Sequence, residues 1–242
     1  MTDTDGPENE GPENKGPAHC PAGDPLLLPA LTRGSAKRLL VMLHGAGSSA
    51  GAMVAAALAW QLKLRSAQAL LLQAPFGSRP DRRYWTDPAV FPVRAAAIAF
   101  AADGVRSIIA AHQQTLGLGP RQTLLVGFSQ GASVALELAF GPASCAAMTI
   151  GYAARLYRLP RAGDHVSGTI HLLHGGADSV VPAVYGEMAY RRLRAINARV
   201  SLHLLPEEGH AVGQVLINRG TQQAMNWVFD RHLANDSAGT AH

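Results

Sequence analysis

The sequence has few of the residues typical of secreted or membrane-spanning proteins. Among its 242 residues are two cysteines, Cys20 and Cys145, which make a structural disulfide unexpected and fit a reducing compartment. No stretch holds 18 uninterrupted apolar residues, and the acidic beginning lacks the basic and apolar regions of a secretory signal. We therefore expect no membrane span and predict a cytoplasmic protein.

Large apolar side chains are almost absent from the beginning of the chain. This stretch contains the near-repeat "GPENEGPENKGPA", which cannot bury enough apolar surface to offset the entropy lost on ordering. We predict a disordered acidic tail over residues 1–30, one domain over 31–234 and a flexible C-terminus over 235–242. The whole chain is 48% hydrophobic, which is sufficient for a sizeable core.

Acidic residues are scarce in the body of the chain. Residues 1–24 carry six acidic residues and one lysine, which leaves 20 basic and 11 acidic residues elsewhere, a net charge of +9. A basic body could attract anionic substrates or nucleic acid. However, the arginines are scattered apart from short groups at 82–83 and 191–194, and no nucleic-acid motif accompanies them. We therefore predict a solvated basic surface and no nucleic-acid partner.

Short apolar runs alternate with segments of helical spacing. The runs have the character of strands buried on both faces, and they cover 39–44, 69–75, 123–129, 145–152, 169–175 and 199–205. The helical segments cover about 50–66, 93–116, 130–140, 182–197 and 211–234. This alternation predicts an α/β fold with a mostly parallel sheet and helices on both faces.

The most unusual residues follow four of these runs. They are "HGAG" (44–47), "GFSQG" (127–131), "HGGADSVVP" (174–182) and "PEEGHAV" (206–212). Because ligands of such sheets bind beyond the carboxyl ends of the strands, we expect these four segments to converge on one site.

Ser129 in "GFSQG" is the candidate nucleophile. The segment matches the elbow G-x-S-x-G, whose glycines permit the tight strand-to-helix turn that exposes the serine hydroxyl. The motif alone is weak, and a purely structural turn serine is the alternative. Here a strand precedes it and a helix follows, as the elbow requires.

A reactive serine needs a histidine base and a carboxylate that orients it. Asp178 and His210 follow Ser129 in the order that this fold requires. Asp178 could instead cap the next helix, and the rival Asp164 precedes its strand, at the wrong end for the site. His210 lies in a loop after the last strand. Four other histidines suggest packing or loop-shaping roles, His44, His171, His174 and His203, whereas His112 lies in the long helix and His232 near the chain end.

Two backbone N–H groups are candidate donors to an oxyanion. One belongs to Gln130, at the N-terminus of the helix after Ser129. The other belongs to Ala46 in "HGAG", a segment that read alone could bind phosphate but lacks G-x-G-x-x-G and a P-loop lysine. No metal or organic cofactor is predicted, because the cysteines and histidines form no ligand pattern.

Taken together, "LHGAG", "GFSQGA", "HGGADSVVP" and "GH" resemble the carboxylesterase/phospholipase family of the α/β-hydrolase superfamily, which includes the acyl-protein thioesterases. The resemblance covers roughly residues 37–233 and implies Ser129, Asp178 and His210 as the triad, with Ala46 and Gln130 as oxyanion donors. Family members often have leucine at the position of Ala46. The family also carries a tryptophan beside the active site, which is matched by Trp85 in the aperiodic segment 74–92; its alternative role is to anchor that loop to the core.

The resemblance implies a serine hydrolase that cleaves small-molecule carboxylic esters through an acyl-enzyme. The short body leaves little room for a large cap domain. Thioester hydrolysis on acylated proteins or other acyl carriers is the alternative, and a hydrolase-shaped binding protein without activity is a remote one. The sequence does not determine the oligomeric state.

Overall fold

The computed structural model describes residues 23–141 and 145–239. Their strands and helices are, in chain order, β1 (Gly23–Leu28), β2 (Arg38–Leu43), α1 (Val54–Lys63), β3 (Ala67–Gln73), β4 (Phe76–Arg79), β5 (Arg82–Tyr84), α2 (Ala95–Leu116), β6 (Thr123–Phe128), α3 (Gln130–Leu138), β7 (Met148–Tyr152), β8 (Thr169–Gly175), α4 (Val184–Ala195), β9 (Arg199–Leu205) and α5 (Gln214–Gly239). Short 3-10 turns at Gly51–Met53 and Pro120–Gln122 precede α1 and β6.

Seven strands form one sheet in the order β1-β3-β2-β6-β7-β8-β9. Every neighbouring pair is parallel except β1 with β3. The α/β fold with a mostly parallel sheet is confirmed, and all six predicted strands and five predicted helices form. The hairpin β4-β5, which the aperiodic sequence of this segment does not predict, stands apart from the sheet.

Apolar side chains of β2 are buried on both faces of the sheet. Leu39, Val41 and Leu43 pack with residues of α2 and α3, whereas Leu40 and Met42 pack with residues of α1 and α5. All five are at most 1% exposed, and burying each side chain contributes roughly 1.5–3 kcal/mol. This two-sided burial explains why the strand is apolar throughout.

The structure places two domain boundaries differently from the sequence analysis. Residues 23–28, assigned there to the disordered tail, form β1, because they pair antiparallel with β3 and Leu28 packs against the core. The prediction for residues 1–22 lies outside the described residues. At the other end, α5 continues to Gly239 and so enters the segment predicted to be flexible from residue 235.

Among the described residues, α2 is the one helix that is long and apolar enough to cross a membrane by length and composition alone. In the fold, Ile98, Val105 and Ile109 of this helix are buried in the core formed with β2 and α3. The apolar composition of α2 therefore has a packing role.

Candidate active site

Ser129 stands at the sharp turn between β6 and α3. Its backbone has φ 53° and ψ −116°, a conformation that is unfavourable for a residue with a side chain. The turn is tight: a Cβ on Gly127 would lie 2.5 Å from the carbonyl oxygen of Gly131, and a Cβ on Gly131 would lie 2.4 Å from that of His44. Both glycines are therefore required by close backbone packing around a strained serine.

The backbone at this turn offers one candidate donor to the site. The N–H of Ser129 is itself occupied, since it donates to Tyr152 across the sheet at 2.9 Å. Gln130 follows as the first residue of α3, where backbone N–H groups have no acceptor within the helix and the helix dipole is positive. The Gln130 N–H is thus suited to stabilise negative charge next to Ser129.

Asp178 and His210 form a hydrogen-bonded pair at the carboxyl end of the sheet. Nδ1 of His210 lies 2.8 Å from Oδ2 of Asp178. The other carboxylate oxygen, Oδ1, accepts the N–H groups of Val180 at 2.9 Å and Val181 at 2.8 Å. Burial raises the pKa of Asp178, but the hydrogen bonds from His210, Val181 and Val180 outweigh it and hold the pKa below its ordinary value. The carboxylate is therefore ionised and fixed in orientation.

The imidazole of His210 lies beside the elbow. Its ring packs on Phe128, the residue before Ser129, with ring centroids 4.9 Å apart. His174 is a second histidine near Asp178, but its Nε2 lies 3.7 Å from the carboxylate and 2.7 Å from the carbonyl oxygen of Val181. The structure thus places the Asp178–His210 pair beside Phe128, the residue before Ser129, with His174 holding the loop.

Asp164, the rival acid, lies in a turn outside this site. Its Oδ2 accepts the N–H of Arg161 at 2.8 Å, and its Oδ1 lies 3.6 Å from the guanidinium of Arg158. These contacts give it a structural role.

Ala46 is exposed in the loop after β2. The next two N–H groups are occupied, since Gly47 donates to Arg83 at 2.8 Å and Ser48 donates to Gly45 at 3.3 Å. Arg83 donates back to Ser48 at 2.8 Å, so the hairpin strand β5 fastens this loop. Ala46 therefore presents its backbone from a braced loop at the carboxyl end of β2.

Trp85 does not line a substrate pocket. Its side chain is 1% exposed, and its Nε1–H donates to the carbonyl oxygen of His44 at 2.7 Å. The assignment of Trp85 to the substrate pocket is corrected: it anchors the loop to the core, which is the alternative that the sequence left open.

Two further contacts of this loop involve the side chain of Gln130. Its Oε1 accepts the backbone N–H of Trp85 at 2.7 Å, and its Nε2 donates to Oγ1 of Thr86 at 3.0 Å. The residues are 45 and 44 positions apart, so no local sequence signal reveals this second role of Gln130.

A cavity of about 300 Å³ opens beside Thr86. Its lining is predominantly apolar and comes from β4, from the loop before α2 and from the first turns of α2: Phe76, Val90, Val93, Ala96, Ala97 and Phe100. The Thr86–Gln130 bond connects this cavity to the elbow. The cavity is therefore suited to an apolar group.

The sheet order, the elbow serine and the Asp178–His210 pair define an α/β hydrolase. The sequence matches the model of the phospholipase/carboxylesterase family over residues 31–220, and the chain belongs to this family.

Individual relatives agree with this assignment. Esterase YpfH of Escherichia coli (strain K12) is 31% identical over 135 residues, which cover 52% of this chain and 56% of that protein, so the match spans about half of the relative. The crystal structure of esterase PE8 superposes with a TM-score of 0.75 at 27% identity, covering 85% of this chain and 99% of the other. A Bacillus cereus carboxylesterase, 15% identical with a TM-score of 0.70 over 84% of this chain and 93% of its own, shares the fold.

Proposed function

We propose that the chain is a serine hydrolase that cleaves carboxylic esters through an acyl-enzyme. The observation that carries the proposal is the 2.8 Å bond between His210 and Asp178, made beside the strained elbow of Ser129. Family membership supports it.

The first half of the reaction forms the acyl-enzyme. Oγ of Ser129 attacks the ester carbonyl carbon while Nε2 of His210 takes its proton, and Asp178 stabilises the resulting imidazolium. The N–H groups of Ala46 and Gln130 stabilise the oxyanion. When the intermediate collapses, the alcohol leaves with the proton held by His210.

The second half hydrolyses the acyl-enzyme. Water attacks the acyl carbon as His210 takes one of its protons, and the acid is released when that proton returns to Ser129. These steps require the base near the serine and the acid behind the base. The His210–Asp178 bond and the packing of His210 on Phe128, the residue before Ser129, support this assignment.

Replacement of Ser129 tests the chemistry. Ser129→Ala should hydrolyse p-nitrophenyl acetate at least about 10³-fold more slowly and should not react with a fluorophosphonate probe, while circular dichroism is unchanged. Asp164→Asn is the matched control and should retain activity. Wild-type activity in Ser129→Ala, or failure of the wild-type chain to react with the probe, would contradict the proposal; the second result would instead support the binding-protein alternative.

A paired substrate series measures whether the chain prefers an alcohol or a thiol as the leaving group. Esters and thioesters pass through tetrahedral intermediates of the same kind and differ in whether oxygen or sulfur leaves. We therefore compare p-nitrophenyl esters and acyl thioesters of equal chain length by kcat/KM. We expect the esters to be preferred, and a higher kcat/KM for every thioester would assign the chain to thioester hydrolysis.

The cavity beside Thr86 is proposed to hold the acyl chain. Ala97→Leu would fill part of it and should lower kcat/KM for octanoate esters by about tenfold while sparing acetate esters, because one or two methylenes contribute about 1–3 kcal/mol. Ala110→Leu, on an exposed position of the same helix, is the control. Equal effects on both ester lengths would contradict this role.

A further inference from the structure

His44 is fully buried at the end of β2, and the proposed reaction gives it no task. Its Nδ1 lies 2.7 Å from the carbonyl oxygen of Gly45, and its Nε2 lies 3.1 Å from the backbone nitrogen of Ala74. A backbone carbonyl only accepts and a backbone N–H only donates, so both bonds require a neutral imidazole that carries its proton on Nδ1. Burial lowers the pKa of His44 by more than the Gly45 bond raises it, and Arg83 lowers it further.

The Gly45 carbonyl and the Ala46 N–H belong to the same peptide unit. Because a trans peptide is planar, its C=O and N–H point in opposite directions. A hydrogen bond that holds the carbonyl towards the buried imidazole therefore turns the N–H of Ala46 away from it, towards the exposed side of the loop. The Ser48 N–H also donates to this carbonyl, at 3.3 Å, but the bond from His44 is shorter, at 2.7 Å, and comes from the buried side. The orientation of this candidate oxyanion donor thus depends on His44.

His44 is itself held in place from two sides. Its carbonyl oxygen accepts the indole N–H of Trp85 at 2.7 Å, and the two rings pack with centroids 5.3 Å apart. On the other side lies α3, where a Cβ on Gly131 would come within 2.4 Å of the same oxygen. The main chain of His44 therefore packs directly against the end of α3 that carries Gln130, and it leads into the loop of Ala46.

We infer that His44 is a positioning residue for the oxyanion site: its neutral side chain aims the Ala46 N–H by holding the Gly45–Ala46 peptide. The inference rests on the proposed function for the identity of the oxyanion donors. His44 contacts no reacting atom in this role, and its effect is expected on kcat, because the donor acts on charge that develops in the transition state.

Two amide variants separate the two bonds of the imidazole. In His44→Asn the side-chain NH₂ occupies the place of Nδ1 and can donate to the carbonyl oxygen of Gly45. In His44→Gln the longer side chain places the amide at the position of Nε2, where its oxygen can accept only the N–H of Ala74. We expect His44→Gln to lower kcat per active site by about 10²-fold, the effect of losing one oxyanion donor, with KM unchanged. His44→Asn should recover most of that loss.

Active sites are counted by stoichiometric labelling with a fluorophosphonate. Inhibition by a trifluoromethyl ketone is measured beside kcat, since its tetrahedral adduct depends on the same donor. Ki should rise in proportion to the loss of kcat/KM. His112→Gln, which replaces a histidine whose Nδ1 also bonds a backbone carbonyl, that of Ile108 at 3.0 Å, should change neither value.

Three results would overturn the inference. One is wild-type kcat per titrated site in His44→Gln, and another is equal loss in the Asn and Gln variants together with an unchanged Ki. The third is independent of activity: ¹⁵N NMR should show His44 neutral and protonated on Nδ1 at pH 7, and the Nε2 tautomer would contradict the geometry. A failure of Ser129→Ala to abolish activity would instead overturn the proposed function and leave the NMR result intact.

Discussion

At the residue scale, Asp178 shows how one side chain acquires its orientation from its own loop. Its Oδ1 is fixed by the N–H groups of Val180 and Val181, which leaves Oδ2 for His210. The carboxylate is therefore held by backbone donors that are independent of His210, and its charge suits the imidazolium of the proposed reaction.

Asp178→Asn should lower kcat on p-nitrophenyl acetate by about 10³–10⁴-fold, because an amide in place of Oδ2 stabilises the wrong tautomer of His210 and does not neutralise its charge. The amide can still accept from Val180 and Val181, so the melting temperature should change little. A kcat within tenfold of the wild-type value would show that the base needs no carboxylate.

Sequence position alone predicts Asp178 and His210 but not the role of Trp85. The first two follow strands of a parallel sheet, so topology places them on one edge. Trp85 lies in an aperiodic segment, and its backbone N–H donates to the side chain of Gln130, 45 residues away. A contact of this kind, between a loop and the first residue of a helix, leaves no periodic pattern in the sequence.

At the scale of elements, α3 packs against the end of β2 without intervening side chains. A Cβ on Gly131 would lie 2.4 Å from the carbonyl oxygen of His44 and 2.5 Å from that of Leu43. The helix must therefore move if this glycine gains a side chain, and Gln130, the candidate oxyanion donor, would move with it.

Gly131→Ala should lower the free energy of unfolding by roughly 1–3 kcal/mol, the usual cost of overpacking, and should reduce kcat as well. Urea unfolding followed by circular dichroism measures the first effect. Gly104→Ala in α2 is the control, since nothing lies within 4 Å of the added Cβ and alanine is favoured in helices, so its stability should stay equal or rise by up to about 1 kcal/mol. Equal stability of the two variants would refute the packing argument.

Two histidines lie on the face of β8 and β9 that packs against α5. His171 bonds Oγ of Ser201 at 2.7 Å, and His203 bonds Gln223 of α5 at 3.3 Å. Burial and the neighbouring His203 lower the pKa of His171 to about 4, and burial and Arg219 lower the pKa of His203. Both histidines are therefore neutral in the fold at pH 7.

The lowered pKa of His171 determines how stability changes with pH. The unfolded chain binds a proton at His171 below about pH 6.5, whereas the folded chain resists it until about pH 4, so stability falls as the pH falls between these values. His171→Gln should remove this part of the loss, on the order of 3 kcal/mol at pH 4. Urea midpoints at pH 8, 6 and 4.5 measure it, and parallel profiles for variant and wild type would contradict it.

At the scale of the whole molecule, the predicted alternation of strands and helices gives the central sheet but misses its edge. The buried strands are recognisable because both of their faces are apolar. By contrast, β1 is a short segment beside glycine and proline, and it becomes a strand only because β3 offers an unpaired edge. Pairing between segments distant in the chain therefore determines where the domain begins.

Truncation of the chain from its N-terminal end tests where the domain begins. Gln61 is buried, and its Nε2 bonds the carbonyl oxygens of Leu28 at 3.3 Å, Pro29 at 2.9 Å and Ala67 at 2.9 Å. A chain that starts at residue 31 loses two of these acceptors and exposes the backbone edge of β3, so it should unfold at lower urea by the equivalent of about 1–3 kcal/mol and should aggregate.

A chain that starts at residue 23 retains β1 and every one of these bonds, so its urea midpoint and its kcat on p-nitrophenyl acetate should equal those of the full chain. Light scattering at matched concentrations should detect aggregation only in the shorter chain. If the chain from residue 31 were as stable as the full chain, β1 would add nothing to the domain, and the sequence-based boundary at residue 30 would be the better one.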